Sequence, residues 1–306
     1  MRTHRATIVI STRNRPGQLA LAVESVLQDL PVDCNVVVVD QSDDDRTKEA
    51  VDKQARGSQA VTYHASSRRG LSAARNHGSR AAPGELLIFT DDDCTVDSGW
   101  CEAWILVFAS NPRVGIGFGR VGYPPFDRRL GHIPSFELHG KTRTSGLELF
   151  RQGASAVGMG ANMAVRRDLW ELVGGFDEGL GAGTTFGGAE EIDLAYRIAR
   201  TGSRIVRAVE PTVLHHGFRP RAEASKLVRG YAAGTGAMHA KHVRYGDMFA
   251  AQLLAIESLL LLSRAMGRLI TGRRPLGLRS LNAYLRGAAS SLRLPLDSGC
   301  RIYRAG

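Results

Sequence analysis

The feature that most constrains this chain is an alternation of apolar, β-branched runs with segments of helical periodicity between residues 6 and 93. The runs ATIVI, NVVVVD and GELLIFT are almost continuously apolar, which is typical of strands buried on both faces of a parallel sheet. Between them, QLALAVESVLQDL and GLSAARNHGSRAA carry apolar residues at helical spacing. Such alternation predicts an α/β fold with a doubly wound, mostly parallel sheet and right-handed crossovers.

Polar side chains follow the predicted strands at the points where they end. Arg13 follows the first strand, Asp40 and Asp43 follow the second, and the acidic run 91–93 follows GELLIFT. Because parallel strands end at the same edge of a sheet, ligands bind in the crevice beyond their carboxyl ends. We therefore expect one crevice to collect these side chains.

The three consecutive carboxylates Asp91, Asp92 and Asp93 need a physical explanation. Neighbouring negative charges disfavour one another unless a cation neutralises them. Mg²⁺ and Mn²⁺ both accept hard oxygen ligands and would suit this run. The alternative is a solvated acidic turn, since aspartate is common in turns. The run by itself does not decide between the two.

Positive charge is concentrated in the last part of the chain. The net charge of the 306 residues is +10, yet residues 219–306 hold 15 Lys and Arg against 4 Asp and Glu. Residues 1–218 are therefore close to neutral. We accordingly expect an α/β domain over residues 1–218 and a basic helical region over residues 219–306.

The basic region admits two interpretations. Residues 248–270 are strongly apolar but contain Glu257, Arg264 and Arg268, and arginine recurs among leucines after them. Amphipathic helices on an anionic membrane surface would show this pattern. The alternative is a helical subdomain that packs on the α/β domain or forms a homo-oligomer. The local charge excess favours the membrane, whereas the lack of interleaved aromatic residues argues against nucleic acid.

Cysteine spacing and the N-terminus bear on the compartment. Cys34, Cys94, Cys101 and Cys300 form no CxxC pair, so neither a zinc site nor a disulfide framework is indicated. The N-terminal residues show no secretory pattern, and no run reaches the roughly 18 apolar residues that span a bilayer. We expect a cytoplasmic protein, with peripheral attachment to the inner face of the plasma membrane if the tail binds lipid.

Eight segments in order carry a resemblance to a known family: STRNRP, VVVVDQSDD, RRGLSAARNHG, FTDDDC, GANMAVRRD, GGFDE, GGAEEIDLAYRI and VLHHGFR. Together they resemble family 2 of the glycosyltransferases over residues 5–218. The resemblance implies a catalytic domain of the GT-A type and inverting transfer from a nucleotide-sugar donor, UDP-, dTDP- or GDP-linked. It also implies a divalent metal, Mn²⁺ or Mg²⁺, and a polysaccharide, lipid-linked or small-molecule acceptor.

The resemblance also assigns residues to the donor. The positions that match donor-contacting residues of the family are Thr12, Arg13, Asn14, Asp40, Arg69 and Arg75. Asp40 would read the base, and the two later arginines would lie near the base and the diphosphate. The second strand is followed by DQSDDD, where the family more often has an Asp-Asp or Asp-Asn pair, so base preference is not predicted.

The family's DxD motif falls on Asp91 and Asp93. The resemblance makes Asp93 the direct metal ligand and places Asp91 nearer the ribose, with Asp92 between them as a further donor contact. One histidine of VLHHGFR, His215 or His216, would reach the metal or the diphosphate. A metal at this position would stabilise the charge that develops on the leaving diphosphate.

The acceptor hydroxyl needs a base, because an alcohol is a poor nucleophile near neutral pH. The resemblance matches the family's general-base aspartate to Glu191, which is one methylene longer and is preceded by Glu190, so it does not divide the roles between the two glutamates. The alternative is that both are ordinary first-turn acids at a helix N-terminus. In GANMA, Asn162 is the polar candidate for contact with the sugar or the acceptor.

Two other functions compete with glycosyl transfer. A nucleotidyltransferase would also combine a doubly wound sheet with metal-binding carboxylates, but STRNRPG is a poor match to its phosphate loop. A catalytically inactive, membrane-associated scaffold would be expected to lack the metal carboxylate or the base. The chain retains acidic residues at both places.

Overall fold

The structure is a computed structural model that describes residues 5–56, 58–270, 276–297 and 299–304. Its strands are β1 Ala6–Thr12, β2 Cys34–Asp40, β3 Val61–Ala65, β4 Leu86–Asp91, β5 Cys94–Val96, β6 Val114–Gly122, β7 Gly131–His132, β8 Arg143–Ser145, β9 Asn162–Arg166, β10 Arg204–His215 and β11 Arg219–Pro220. Its helices are α1 Pro16–Gln28, α2 Arg46–Gln54, α3 Leu71–Ala81, α4 Trp100–Ser110, α5 Arg167–Leu172, α6 Glu190–Arg200, α7 Arg221–Arg244, α8 Met248–Ile270 and α9 Leu276–Ser291.

The central sheet has the strand order β3-β2-β1-β4-β9-β6-β10-β5, with β8 paired to β10. The first four strands are parallel to one another, and β10 is parallel to β6. Strand β9 lies antiparallel between β4 and β6. The predicted α/β fold with a mostly parallel sheet is confirmed, and β1, β4 and β10 end at the same edge.

The continuous apolar runs are explained by burial on both faces of this sheet. Ile8 and Ile10 of β1 pack in one hydrophobic core with residues of α1 and α4. Val9, between them, packs in a second core on the other face with residues of α3 and α6. Both faces of the strand are therefore buried, so its apolar residues form a continuous run without alternation.

The segment VGIGFGRVG contains too many glycines to predict an ordinary strand, yet it forms β6. The structure places it in the middle of the sheet. A Cβ on Gly117 would lie 2.6 Å from Cζ3 of Trp104, and one on Gly119 would lie 2.3 Å from Nδ2 of Asn162. Glycine is required there because large side chains cross the strand at close range.

The C-terminal region packs on the α/β domain. Ala237 and Met238 of α7 belong to the core that contains residues of α6. Buried Lys241 of α7 lies 2.6 Å from carboxylate oxygens of both Asp177 and Asp193. The packing alternative therefore describes α7, and the core continues across the boundary predicted at residue 218.

Helices α8 and α9 match the two amphipathic segments predicted for the tail. In the part of the chain that the structure describes, no helix has the length and apolarity to cross a bilayer. Helix α8 nevertheless leaves Leu259, Leu262, Met266 and Leu269 exposed along one face. The predicted tail arginines 273 and 274 lie outside the described residues.

Candidate active site

A cleft of about 440 Å³ lies at the edge where β1, β4 and β10 end. The sequence-predicted residues that line it are Thr12, Arg13, Arg69, Arg75, Asp91, Asp92, Asp93, Glu190, Glu191 and His215. Their side chains come from six separate segments. The sheet topology brings them together at one edge, where the positions of the strand ends predicted a crevice.

Asp93 is the centre of a cationic cluster on one side of the cleft. His215 Nε2 is 3.2 Å from Oδ1 of Asp93, and Arg15 and Arg219 contact Oδ2 at 3.2 and 3.3 Å. Burial alone would raise the pKa of Asp93, but the hydrogen bond and charge of His215, with the two arginines, outweigh it and lower this pKa to about 2. Asp93 is therefore ionised, as a metal ligand must be.

Asp92 has a different environment from Asp93. Thr12 Oγ1 donates a hydrogen bond of 2.7 Å to its Oδ2, and Arg15 donates one of 2.9 Å to its Oδ1. Burial raises the pKa of Asp92 to about 6, against the effect of Arg15 and Thr12. Both oxygens are held by protein groups, so Asp92 ties the end of β1 to the acidic loop.

The residues beside Asp93 fit a divalent metal. Ligand atoms of Asp93, Cys94 and His215 lie within 4.8 Å of one another. Burial raises the pKa of the Cys94 thiol well above its usual range, and sulfur ligands suit softer metals than Mn²⁺ or Mg²⁺. His215 Nδ1 is buried without a hydrogen-bond partner among the described residues. A carboxylate and an imidazole thus remain, a donor set that suits Mn²⁺.

Arg75 connects the acidic loop to the opposite side of the cleft. Its guanidinium is buried and lies 2.9 Å from Asp91 and 3.2 Å from Glu190. It also donates a hydrogen bond of 3.2 Å to the carbonyl of Gly160, where a Cβ would come within 2.8 Å of Nη1. One buried cation therefore holds the two groups of carboxylates at a fixed separation.

Glu190 and Glu191 begin helix α6, as predicted, directly after Ala189, which has a left-handed φ of 71°. A non-glycine residue in this region is strained and marks a position that the surrounding structure enforces. Burial, followed by the neighbouring charge of Glu190, raises the pKa of Glu191 to about 8. Burial also raises the pKa of Glu190.

The two glutamates differ in their partners. Glu190 pairs with Arg75, whereas Oε2 of Glu191 is buried without a hydrogen-bond partner among the described residues. A carboxylate with a raised pKa and a free oxygen is suited to accept a proton. The two glutamates therefore differ in environment, and the one with the unpaired oxygen is Glu191, the residue that the resemblance matches to the family's base.

The rim of the cleft near β2 is organised around Asp43. Asn14 donates a hydrogen bond of 2.7 Å to Asp43 and accepts one of 3.0 Å from its backbone N–H. Arg13 lies 3.6 Å from the same carboxylate, and Arg69 also pairs with it. Asn14 does not line the cleft; its side chain joins two loops and so positions Arg13.

Like Asn14, the predicted residues Asp40 and His216 lie outside the cleft lining. Asp40 accepts hydrogen bonds of 2.8 Å from the Ser42 N–H and from the Tyr63 hydroxyl. Exposed His216 has its ring Nε2 2.9 Å from the hydroxyl of Thr95, so of the two imidazoles only that of His215 contacts the Asp93 carboxylate. These two residues support loops that surround the site.

Asn162 is likewise a structural residue here, contrary to the expected contact with sugar or acceptor. Its Oδ1 accepts hydrogen bonds from the indoles of Trp100 and Trp104 at 2.9 and 3.0 Å. Its Nδ2 donates to the carbonyls of Arg120 and Pro211 at 2.8 and 2.9 Å. The side chain is fully buried and has no hydrogen-bonding capacity left for a ligand.

Sequence reasoning missed several lining residues, namely Arg15, Gln41, Arg219, Leu227 and Tyr231. Arg15 stands inside the motif STRNRP, so its proximity to Arg13 was an available signal. The last three lie beyond residue 218 and were assigned to the tail because of charge alone. The cleft is thus built from both sides of the predicted domain boundary.

Residues 7–173 match the sequence profile of glycosyl transferase family 2. The glucosyl-dolichyl phosphate glucuronosyltransferase of Haloferax volcanii is 26% identical over 231 residues, which cover 73% of each chain. An uncharacterized glycosyltransferase of Haemophilus influenzae is 26% identical over 108 residues, 35% of this chain and 36% of its own.

Two solved structures have a similar fold. The mannosyltransferase PcManGT of Pyrobaculum calidifontis, in complex with GDP-Man and Mn²⁺, superposes with a TM-score of 0.63 at 21% identity over 94% of this chain and 87% of its own. S. aureus TarS superposes with a TM-score of 0.55 at 16% identity over 76% of this chain and 39% of its own. At these identities the likeness concerns the fold, and the predicted GT-A fold is confirmed.

Proposed function

The chain belongs to glycosyl transferase family 2, and on that premise we propose that it is a metal-dependent, inverting glycosyltransferase. It would move a sugar from a nucleotide-sugar donor to a hydroxyl of a glycan, lipid-linked or small-molecule acceptor. The observation that carries the proposal is the division of the cleft by Arg75, which separates the carboxylates near Asp93 from Glu190 and Glu191. A nucleotidyltransferase is not consistent with this family.

Asp93 and His215, with Asp91 nearby, would hold the divalent metal, Mn²⁺ or Mg²⁺. When bound, the metal would neutralise the charge that grows on the leaving diphosphate. The Mn²⁺ and GDP-mannose bound to the structurally similar mannosyltransferase support this assignment. UDP-, dTDP- and GDP-linked donors are all compatible with the residues present.

The chain's own cations would assist at the diphosphate. Arg15 and Arg219 already neutralise Asp93 at 3.2 and 3.3 Å, and both line the cleft. A guanidinium binds phosphate oxygens with two parallel hydrogen bonds, so it can stabilise the same leaving group. The rim residues Arg13 and Arg69 would lie over the nucleoside, with Thr12 at the floor.

Glu191 would act as the general base and accept the proton of the attacking hydroxyl. Its raised pKa of about 8 makes the ionised carboxylate a stronger base than an ordinary glutamate, and Glu190 is fixed by Arg75 and would position it. A single displacement, with base and leaving group on opposite faces of the sugar, inverts the anomeric centre. The separation of the two carboxylate groups by Arg75 supports this arrangement.

Lipid-linked acceptors gain support from one relative, whose name specifies a glucosyl-dolichyl phosphate. The exposed apolar face of α8 would allow peripheral association with an anionic membrane, as the tail's composition suggested. Contact with nucleic acid is not part of the proposal.

The direct test is a thermal-shift panel of UDP, GDP, dTDP and CMP, each with Mn²⁺, with Mg²⁺ and with EDTA. A ligand that binds only the folded state raises its stability, so the correct nucleotide should raise Tm in a metal-dependent way. Turnover of the matching nucleotide sugar would follow by release of the nucleoside diphosphate. Absence of any shift and of any turnover would favour the inactive scaffold instead.

A further inference from the structure

A second groove, of about 970 Å³, adjoins the cleft. Its walls are residues 182–187, which lead toward α6, together with helices α7 and α9. The groove and the cleft share Arg219, Leu227 and part of the glycine-rich loop. The groove therefore opens from the cleft between Arg219 and the glycine-rich loop that leads to Glu190 and Glu191.

The walls of this groove are strongly basic. Lys226 and Arg229 come from α7, and Arg279 and Arg286 come from α9. Glu223 is the one carboxylate among the described lining residues. No ion pair joins these four cations to any carboxylate within the ranges that the structure describes, whereas Arg219 at the junction pairs with Asp93.

The two helices that carry the cations, α7 and α9, pack closely against each other. A Cβ on Gly287 of α9 would lie 2.0 Å from the carbonyl oxygen of Ala233, and one on Gly236 of α7 would lie 2.0 Å from that of Tyr284. Arg279 and Arg286 are seven residues apart, so they share one face of α9 about 10 Å apart along the axis. The packing of α7 against α9 therefore fixes the backbone positions from which these side chains reach the groove.

Four cations without a carboxylate partner among the described residues line this groove, so its positive potential attracts anions. Guanidinium groups recognise phosphate through paired, charge-assisted hydrogen bonds. We propose that the groove binds the phosphate group of a phosphate-bearing acceptor and thereby brings its hydroxyl to Glu191. This inference rests on the proposed glycosyl transfer, and it covers both free sugar phosphates and lipid-linked phosphates.

The experiment measures binding of four probes to the full chain in EDTA: inorganic pyrophosphate, glucose 1-phosphate, farnesyl phosphate and uncharged farnesol. EDTA removes the metal on which diphosphate binding at Asp93 would depend. We expect the phosphate-bearing probes to bind with an affinity that falls as salt increases. Similar affinities for all three would indicate a free phosphate, whereas much tighter binding of farnesyl phosphate than of the other two would indicate a lipid-linked one.

The double variant Arg279→Ala/Arg286→Ala tests one wall, and Lys226→Ala tests the other. We expect each to weaken phosphate binding by about tenfold or more, since charge-assisted hydrogen bonds are lost. The matched control is Arg293→Ala, which removes an exposed arginine after α9 that does not line the groove. The four substituted residues are all exposed, so the variants should fold. Their melting curves would check that they do.

The same variants separate this inference from the proposed function. The Mn²⁺-dependent shift caused by a nucleoside diphosphate should be unchanged in Arg279→Ala/Arg286→Ala, while the KM for a phosphate-bearing acceptor should rise. A nucleotide shift without any phosphate binding to the groove would overturn this inference alone. Equal weakening by Arg293→Ala, or binding to anionic vesicles but to none of the soluble probes, would also overturn it.

Discussion

Lys241 of α7 and Asp193 of α6 are fully buried and lie 2.6 Å apart. Arg197 and His242 also contact Asp193, at 2.8 Å each, and Lys241 reaches Asp177 as well. Helix α6 begins with Glu190 and Glu191, so this network anchors the helix that carries the proposed base to the C-terminal region. A tail assigned from charge alone is therefore part of the active-site framework.

Replacement of Lys241 with methionine should destabilise the protein strongly. The change would leave the buried carboxylates of Asp177 and Asp193 with fewer cations, and breaking a buried ion pair typically costs about 3–5 kcal/mol. Urea unfolding would measure this loss, with exposed Lys226→Met as the control for loss of a lysine on the same helix. If the free energy of unfolding falls by less than about 1 kcal/mol, the remaining partners of Asp177 and Asp193 are enough to stabilise the two buried carboxylates.

Sequence reasoning succeeded where a single local pattern decides the structure. The buried strands β1, β2 and β4 and the start of α6 at Glu190 followed from apolar runs and acidic residues. The family resemblance, and no local pattern, implied that His215 or His216 reaches the metal or the diphosphate, and the structure brings His215 to Asp93. The strands and the helix start are determined by residues that lie close together in the sequence, through hydrophobic periodicity and helix-start signals. The edge of the sheet then brought the motifs together.

The failures have a common cause in long-range packing. Asn162 looked like a ligand contact because it is polar, yet two tryptophans about 60 residues earlier take up its oxygen. The sequence does not predict strand β6, because its glycines make room for the side chains of Trp104 and of that same asparagine. Arg219 pairs with Asp93 across 126 residues, a contact that no local pattern encodes.

The carboxylate of Asp93 should be essential for metal-dependent nucleotide binding. Asp93→Asn removes the charge that His215, Arg15 and Arg219 surround, and it should lower metal affinity by more than the about 10–100-fold caused by loss of an outer partner. Manganese titration in the presence of the stabilising nucleotide would measure this. Asp97→Asn, which neutralises a nearby exposed aspartate, should bind as the wild type does, and equal loss in both variants would contradict the assignment.

Glu191→Gln should keep donor binding and slow transfer by about 10²–10⁴-fold, the usual contribution of a general base. The base acts when it is ionised, so the wild-type rate should rise with pH up to the raised pKa of Glu191, about 8, and level off above it. The glutamine variant should lack this rise. A pH profile of single-turnover transfer would show it, and a normal rate in the variant would remove Glu191 as the base.

The same pKa shift predicts a pH dependence of stability. The folded state keeps the Glu191 proton to about pH 8, whereas an unfolded glutamate loses it near about pH 4.3. Because the folded state then binds more protons, the free energy of unfolding should fall as pH rises between these two values. Urea unfolding at several pH values should show a flatter dependence for Glu191→Gln.

Close contact between α7 and α9 should make Gly287 intolerant of a side chain. Gly287→Ala would place a Cβ 2.0 Å from the Ala233 carbonyl oxygen, and overpacking of this kind costs about 1–3 kcal/mol. The matched control is Gly267→Ala on α8, where no atom lies within 4 Å of the added Cβ. There the better helix propensity of alanine should leave Tm unchanged or higher. Equal Tm values in both variants would contradict the observed packing.

The exposed face of α8 should determine membrane association. Leu259, Leu262, Met266 and Leu269 recur at intervals of three and four residues, so they form one apolar stripe. Burial of a leucine side chain contributes about 1.5–3 kcal/mol, so Leu259→Ser/Leu262→Ser should weaken binding to anionic vesicles by about 100-fold or more. Co-sedimentation with phosphatidylglycerol vesicles would measure this, with Leu106→Ser as the control, since Leu106 is 57% exposed on α4. If the apolar stripe of α8 packs against protein and does not bind lipid, the wild type will not sediment with vesicles even at low salt, and this would contradict the prediction.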